Sequence, residues 1–590
     1  MKFHPRLHAV GQSRCLAGVR LLLMGIVIAS GALHAAEPKL VAHWPLEHDA
    51  RDVVGGLHGQ AKNVTFSGGE GRGVEFNGRD ALIEITDAPA LRLGARDFSF
   101  SLRVKCATPM TNTLGDLVSK FDPDRRRGLN FHLAGSAPSY SSMSDTRHVH
   151  FGIDDGYLSE WADHGKPWPS NSLITCLVTF NGELYAGIAD ADKSPDKAQV
   201  FRFAGGKQWV DCGRISDDPD HYSVQSMLVH DGKLYAGTGI WDWEQARGKL
   251  KGLPAAAPTH VCVFEGGTTW RDLGQVGTGS RVLALGSFNG DLYAGVDDYG
   301  NGHVYRYEES AKTWIDCGSP DGRNLESFIA FDSKLYVATH GNVYEYAGGQ
   351  TWTRIGNDPH EINQIHSMHV FGGKLLLGTW PQGYVLRYAG GTEWDITGRL
   401  GLPEGMPLCN EINALSVYNG KLYAGVIPLA ECYRYEKDGE WTMLKRLAQR
   451  ADWKVYHLSS WLRLTCLTSY QGRLFACTGS CEGRAIDAPA DETLGRVYSM
   501  QAGQVVSHER DIGGEWTHLA GVRHGRQLKL YVNGKLAASS DLRDGPAFNL
   551  DNDRPLLIGF GAQHHFTGSI SDVRLYDGAL NDDAAAGLAK

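Results

Sequence analysis

Four side chains near the middle of the chain have the chemistry of proton transfer: Glu326, Glu411, Asp297 and His366. A pair of carboxylates flanking a sugar linkage acts as general acid and as base or nucleophile in glycoside hydrolysis, and an imidazole exchanges protons near neutral pH. These residues form a candidate set because of the rank they share or border in an internal repeat. That rank reads Thr175, Gln225, Leu283, Glu326, His366, Asn413 and Thr465, polar at six of seven positions. Glu361, Asn363, Glu411, Asp297, His340 and Trp380 are expected close by. A ring of polar groups around an axis is either a binding site or the hydrated end of a channel.

The repeat that positions them is written seven times as a turn, an LYAG-like step, a VYRY-like step and a W.D.G step. Its anchors are Tyr185, Tyr235, Tyr293, Tyr336, Leu376, Tyr423 and Phe475, spaced by 50, 58, 43, 40, 47 and 52 residues. The segments are short, rich in aromatic and β-branched residues, and bounded by Asn-Gly, Asp-Gly or Gly-Gly turns. They read as strands, four per unit, and a period of this length built from strands predicts a β-propeller. The rank after the polar one is small throughout (Cys176, Ser226, Ala284, Ser327, Ser367, Ala414, Cys466), as innermost strands crowded about an axis require. Seven third strands appear, the last at Val497. The seventh outer strand lies upstream at Trp161, so the ring is expected to close by joining its two ends.

Long loops mark one face of the ring. Residues 238–260 carry Trp241 and Trp243, residues 442–463 carry Trp453 and Trp461, and residues 478–496 form a third. Loops of this length in a compact domain tend to be functional or disordered. The ligand-binding candidates are therefore Trp241, Trp243, Gln225, His340, Trp380, Asn413, Trp453 and Trp461.

The flanks, 37–157 and 505–590, lack the repeat. The first contains LVAHWPL at 40–46, VEFNG at 74–78, LIEI at 82–85 and FSFSLRV at 98–104. The second contains EWTHLAGV at 515–522, LKLYVNGK at 528–535, LLIG at 556–559 and GSISDVRLY at 568–576. Together they resemble the opening and closing strands of a laminin G-like, concanavalin A-like jelly roll. The expected fold is all-β: a seven-bladed β-propeller (158–504) inserted into a discontinuous concanavalin A-like (laminin G-like) jelly-roll sandwich. Insertion is tolerated where the inserted ends lie close. The resemblance implies glycan or calcium binding at loops, with Asp80, Asp87 and Asp572 as metal candidates; no other cofactor is required. Two further likenesses are limited. Residues 265–270 (EGGTTW) carry half of a sialidase Asp-box, but Val263 stands at its serine. The six-residue step from Tyr346 to Trp352 is kelch-like, although the glycine doublet sits in a different turn.

Residues 1–36 combine Lys2, Arg6, Arg14 and Arg20 with a short apolar run at 21–29 and small residues to Ala36, the pattern of a signal peptide. The expected location is secreted or periplasmic, with no transmembrane segment. The net charge of −9, or −13 after loss of those four cations, argues against nucleic acid as a partner. Ten cysteines follow the leader, and Cys409 with Cys432 and Cys477 with Cys481 are the disulfide candidates. No catalytic constellation is complete. The primary reading is an exported protein that recognises a polysaccharide or glycoprotein; the alternative is a carbohydrate-active enzyme, hydrolase or lyase, with its site at the channel mouth.

Overall fold

Each repeat folds as its letters require, and the reason is clearest at the turn before LYAG. Asn181, Asp231, Asn289, Asp332, Asn419 and Gln471 all adopt positive φ, most of them followed by a positive-φ glycine. These are the tight hairpin turns whose twist matches that of the flanking strands. The structure is a computed structural model that describes residues 37–69, 72–135, 142–169, 173–189, 198–218, 221, 223–239, 258–297, 301–356, 362–404, 410–448, 462–480 and 493–590.

Seven four-stranded antiparallel blades form the ring. In blade 6 the order from the axis outward is Glu411–Tyr418, Lys421–Ile427, Glu431–Lys437 and Glu440–Arg446, with Leu415 opposite Ala424 and Ala424 opposite Tyr433. Blade 7 takes Leu462–Tyr470, Arg473–Ser480 and Val497–Met500 from the end of the repeat region and Ala162–Asp163 from its start. Ala162 pairs with Ser499, so the ring is zipped by its own two ends.

The repeat letters are inter-blade contacts. Tryptophan on the outer strand donates its indole N–H to the preceding blade: Trp270 to the Cys212 carbonyl (2.9 Å), Trp352 to Cys317 (2.8 Å), Trp441 to Thr397 (3.1 Å), and Trp209 to His164 across the seam (2.9 Å). The Asp of W.D.G accepts the N–H of the glycine two residues on, at 2.7 Å in Asp211, Asp272 and Asp316, turning the chain out of the strand. The glycine of LYAG is required by close approach. A β-carbon on Gly237 would lie 2.6 Å from Val282 Cβ of the next blade.

The sandwich interleaves the two flanks. Phe98–Cys106 lies between Thr517–His524 and Thr567–Asp577 in one sheet, with Leu102 opposite Leu519 and Phe100 opposite Leu575. In the second sheet His148–Leu158 pairs with Ala502–His508. Neither flank has a core of its own; Trp44, Phe76, Phe98, Phe131 and Phe151 pack with Leu519, Leu530, Phe566 and Ile570. A short helix, Asp582–Leu588, is capped by Asn581 accepting the Ala584 N–H.

The ring stands on the sandwich through its hairpin turns, one contact or more per blade. Gly182 N–H donates to the Glu509 carbonyl, Asp231 N–H to Asp145 Oδ2, Asn289 N–H to the Met110 carbonyl and Asp332 N–H to Asn112 Oδ1. Gly372 N–H donates to Ala562, Asn419 Nδ2 to Ile153 and Gly472 N–H to Ser507 Oγ. The outer face of the second sheet is therefore buried as well as its core face. It is polar there, with Asn130, His132, His148 and His150 all interior. Between sheet and ring lies a cavity with ≈ 80 Å³ open to water centres, lined in part by His148, His150, His369 and Gln563, enough for several waters.

Two expectations follow. Gly237→Ala is expected to cost about 1–3 kcal/mol through overpacking, seen as a lower urea midpoint. Burial holds His148, His150 and His564 down at about 3 and His369 at about 4. A depressed folded-state histidine stabilises fully above the unfolded value of 6.5 and loses that contribution as pH falls toward the folded value. Asp116 and Asp154, pushed up to about 7 and about 6 mainly by burial, oppose this trend down to the ordinary aspartate value. His564 packs against Phe331 of blade 4, the rings tilted by 33° with centroids 5.6 Å apart. His564→Phe is expected to flatten the loss of stability below pH 6.5 by up to about 1.4 kcal/mol per pH unit, measured by urea unfolding from pH 7 to pH 4.

Candidate functional site

A β-bulge builds the mouth of the channel. In every blade the pairing of the innermost strand with its neighbour slips at one residue, and the skipped residues are Thr175, Gln225, Leu283, Glu326, His366, Asn413 and Thr465. An extra residue in one strand re-aims its side chain. The polar rank seen in the sequence is thus the bulge rank of the ring, and all seven residues are buried.

A second polar rank lies two residues earlier on the same strands: Ser223, Arg281, Asn324, Gln364, Glu411 and Arg463, with Leu173 in blade 1. The two ranks bond to each other. Gln225 Nε2 donates to Ser223 Oγ, and His366 Nε2 meets Gln364 Oε1 at 2.6 Å. From blade 4 to blade 7 they form a chain of charges. His340 Nε2 is 2.6 Å from Glu326 Oε1, His366 Nδ1 is 3.3 Å from Glu326 Oε2, and His366 Nε2 is 3.4 Å from Glu411 Oε1. Arg463 Nη1 then donates to Glu411 Oε1 (3.0 Å) and to Asn413 Oδ1 (3.1 Å). In blade 3, Arg281 Nη2 meets Asp297 Oδ2 at 2.5 Å. In blades 7 and 1 the bulge threonines act as staples, Thr465 Oγ1 donating to the Ile174 carbonyl and Thr175 Oγ1 to that of Val224, each at 2.6 Å.

The electrostatics follow from this arrangement. Burial works against charge on both partners, yet His366 and His340 hold the Glu326 carboxyl well below the usual glutamate range. Burial likewise pushes His366 down, and Glu411 with Glu326 outweighs it, so the imidazole is held above its ordinary value. Glu326 stays ionised and His366 favours its proton. One imidazole thus stands between the two carboxylates. A hydrolase needs that gap for the scissile bond and a carboxyl whose pKa is raised. Among the described residues, His366 occupies the gap between Glu326 and Glu411, and Glu326 is held low rather than raised.

Of the catalytic candidates, Glu326, His366 and Glu411 are joined in the charge chain, while Asp297 is engaged by Arg281. Among the ligand candidates, Gln225, His340 and Asn413 belong to the ranks. Trp380 ends the second strand of blade 5 (Lys374–Trp380), half-buried and opposite Gln364. Trp241, Trp243, Trp453, Trp461 and Glu361 lie outside the described residues, as does the leader, 1–36. The metal candidates are dispersed and engaged: Asp80 by Asn77, Asp87 by Lys120 and Arg92, Asp572 by His43 and Arg574. Among the described residues no group of three His, Cys, Asp or Glu is set to hold a metal. Cys432 and Cys477 are buried free thiols, and their expected partners Cys409 and Cys481 lie outside the described residues. Sequence reasoning missed Arg281 and Arg463. The signal was available, because residues two apart on a strand share a face.

Two family models match parts of the chain. One, described as the concanavalin A-like lectin/glucanases superfamily, matches residues 454–586. The sandwich is concanavalin A-like. The other, described as the DUF6242 beta propeller domain, matches residues 269–424, within the ring. Each covers less than half the chain, and the first begins inside the propeller, ahead of the strands of blade 7. A search of curated proteins gives no match. Among solved structures, the extracellular domain of a hybrid two-component system from B. thetaiotaomicron is 13% identical (TM-score 0.40), the alignment covering 58% of this chain and 39% of that one. YCF48 from Cyanidioschyzon merolae is 10% identical, with 58% and 99% covered and a TM-score of 0.40. Virginiamycin B lyase from Staphylococcus aureus is 8% identical, with 58% and 99% covered, also at 0.40. Among the described residues no helix is long and apolar enough to cross a membrane.

His366→Gln removes the cation between two buried carboxylates. It is expected to cost about 3 kcal/mol at pH 7. The deficit should shrink toward pH 4, where the released carboxylates take up protons, as urea unfolding of both forms across that range would register.

Proposed function

We propose that this is an exported recognition protein that binds carbohydrate, a polysaccharide or the glycan of a surface protein, at the propeller face opposite the sandwich. The observation that carries this reading is the state of two buried atoms at the mouth. Among the described residues Asn413 Nδ2 has no hydrogen-bond partner, and Glu326 Oε2 is approached by His366 Nδ1 at 3.3 Å. Buried polar atoms of this kind are costly unless something satisfies them. A sugar hydroxyl accepts from an amide and donates to a carboxylate, so a polyol is suited to both at once. Trp380, half-buried opposite Gln364, offers an apolar surface in the blade between theirs. The sandwich supports the reading more weakly, since one of its sheets is covered by the ring and its free surface is the other sheet.

Export rests on the leader pattern at 1–36 and is part of the proposal. The hydrolytic alternative is disfavoured because His366 fills the space between the carboxylates.

Screening the purified chain against a panel of polysaccharides by calorimetry is expected to give saturable binding without release of reducing ends. Asn413→Ala is expected to weaken that binding about fivefold to tenfold, the loss of one hydrogen bond of about 1 kcal/mol, with the thermal midpoint as control for folding. Sugar release that Glu326→Gln or Glu411→Gln abolishes would replace recognition with hydrolysis.

A further inference from the structure

Blade 7 is the weakest joint in the ring. Its outer strand, Ala162–Asp163, pairs through two residues, whereas the outer strands of the other blades run from four to seven. Inward of this joint, the two inner strands of blade 7 and the innermost strand of blade 1 carry three thiols. Cys466 on the innermost strand lies directly opposite Cys477 on the next, after the bulge at Thr465. Cys176 comes from the equivalent rank of blade 1. All three are fully buried, and Cys477 Sγ is 3.1 Å from Thr465 Oγ1, the hydroxyl that staples blade 7 to blade 1.

We propose that Cys466 and Cys477 form a cross-strand disulfide that clasps the closing blade when the protein folds in an oxidising compartment. Directly opposed residues of an antiparallel pair have Cα atoms about 4.5–5.5 Å apart, inside the range a disulfide spans. Their side chains share one face, and each Sγ reaches a carbonyl of blade 1, Cys466 that of Leu177 and Cys477 that of Ile174. Cys176 is paired with Gly187 of its own blade, whereas Cys466 and Cys477 face each other directly, so the bond within blade 7 is favoured. The sequence had offered Cys481 as the partner of Cys477; the strand register supplies Cys466 instead.

The bond needs an oxidant of the disulfide class, such as oxidised glutathione. A thiolate of one cysteine attacks that disulfide, one glutathione thiol leaves, and the second cysteine displaces the other glutathione as the Sγ–Sγ bond forms. Two thiol protons are released to solvent and taken up by the departing thiolates; two electrons pass to glutathione. Burial raises the Cys176 thiol to about 12 and holds Cys477 well above the ordinary value, with the neighbouring Cys466 thiol adding to the latter. The folded ring therefore protects the pair, and the bond forms as the hairpin assembles. The clasp rests on the proposed export only for its oxidising compartment.

The test is to unfold and reduce the full chain, refold it in glutathione buffers of graded oxidation, quench, alkylate and map peptides by mass spectrometry. The expected result is a linked pair of peptides carrying Cys466 and Cys477 and an unfolding midpoint at higher urea than that of the reduced form. In Cys477→Ser that difference should vanish. Linkage of Cys466 to Cys176, or both thiols alkylated at every poise, would overturn the clasp. If refolding fails, protein lysed directly into alkylating denaturant is mapped by the same criteria. A bond that forms in glutathione and is missing from cell-derived protein counts against export and leaves the clasp standing.

Discussion

The crowding of seven innermost strands around one axis governs this molecule. Side-by-side blades leave no room for a β-carbon at the glycine of LYAG, and the facing rank must be small. At Gly187 the added carbon would meet Cys176 Sγ at 2.8 Å, and at Gly378 it would meet Ser367 Oγ at 2.3 Å. Interiors packed to this density transmit such demands residue by residue. The same crowding explains the bulge. A strand that stays fully paired alternates strictly and cannot place consecutive ranks toward the axis, whereas one extra residue per blade turns a polar side chain inward just where the ring opens.

Closure has a second consequence. Joining Ala162–Asp163 to Val497–Met500 brings the two ends of the ring together beside Leu158 and Ala502, which are themselves paired in the sandwich. The domain that was cut can therefore re-form its sheets. Having done so, it covers the ring's hairpin turns.

Much of this was legible in the letters. The blade count, the closure at Trp161 and the bulge rank follow from aligning the repeats on one turn. The docking of ring on sandwich was not, because it is made by backbone N–H groups of turns that would be spelled identically on a free surface. Buried His132 and His150, stacked 5.1 Å apart, look in sequence like the polar face of an ordinary strand. The rank of Arg281, Glu411 and Arg463 was legible in principle. It escaped notice because alignment centred attention on the bulge, while period two places its partners two residues away. Asp80, Asp87 and Asp572 lie near turns, where aspartate is common, and here cations of the protein itself hold two of the three.

The charge chain carries the choice between binding and catalysis. A catalytic pair keeps its carboxylates apart in environments that push their proton affinities in different directions, so that one donates while the other stays ionised. At this mouth Glu326 and Glu411 share a cation, His366, and each has another partner besides, His340 or Arg463. Such a network resists change in its protonation, because removing or adding one proton leaves a buried charge uncompensated. That is poor machinery for proton transfer and good machinery for holding donors and acceptors at fixed positions. The Asn413 amide N–H, left without a partner among the described residues, is then the place where the proposed ligand would have something to gain.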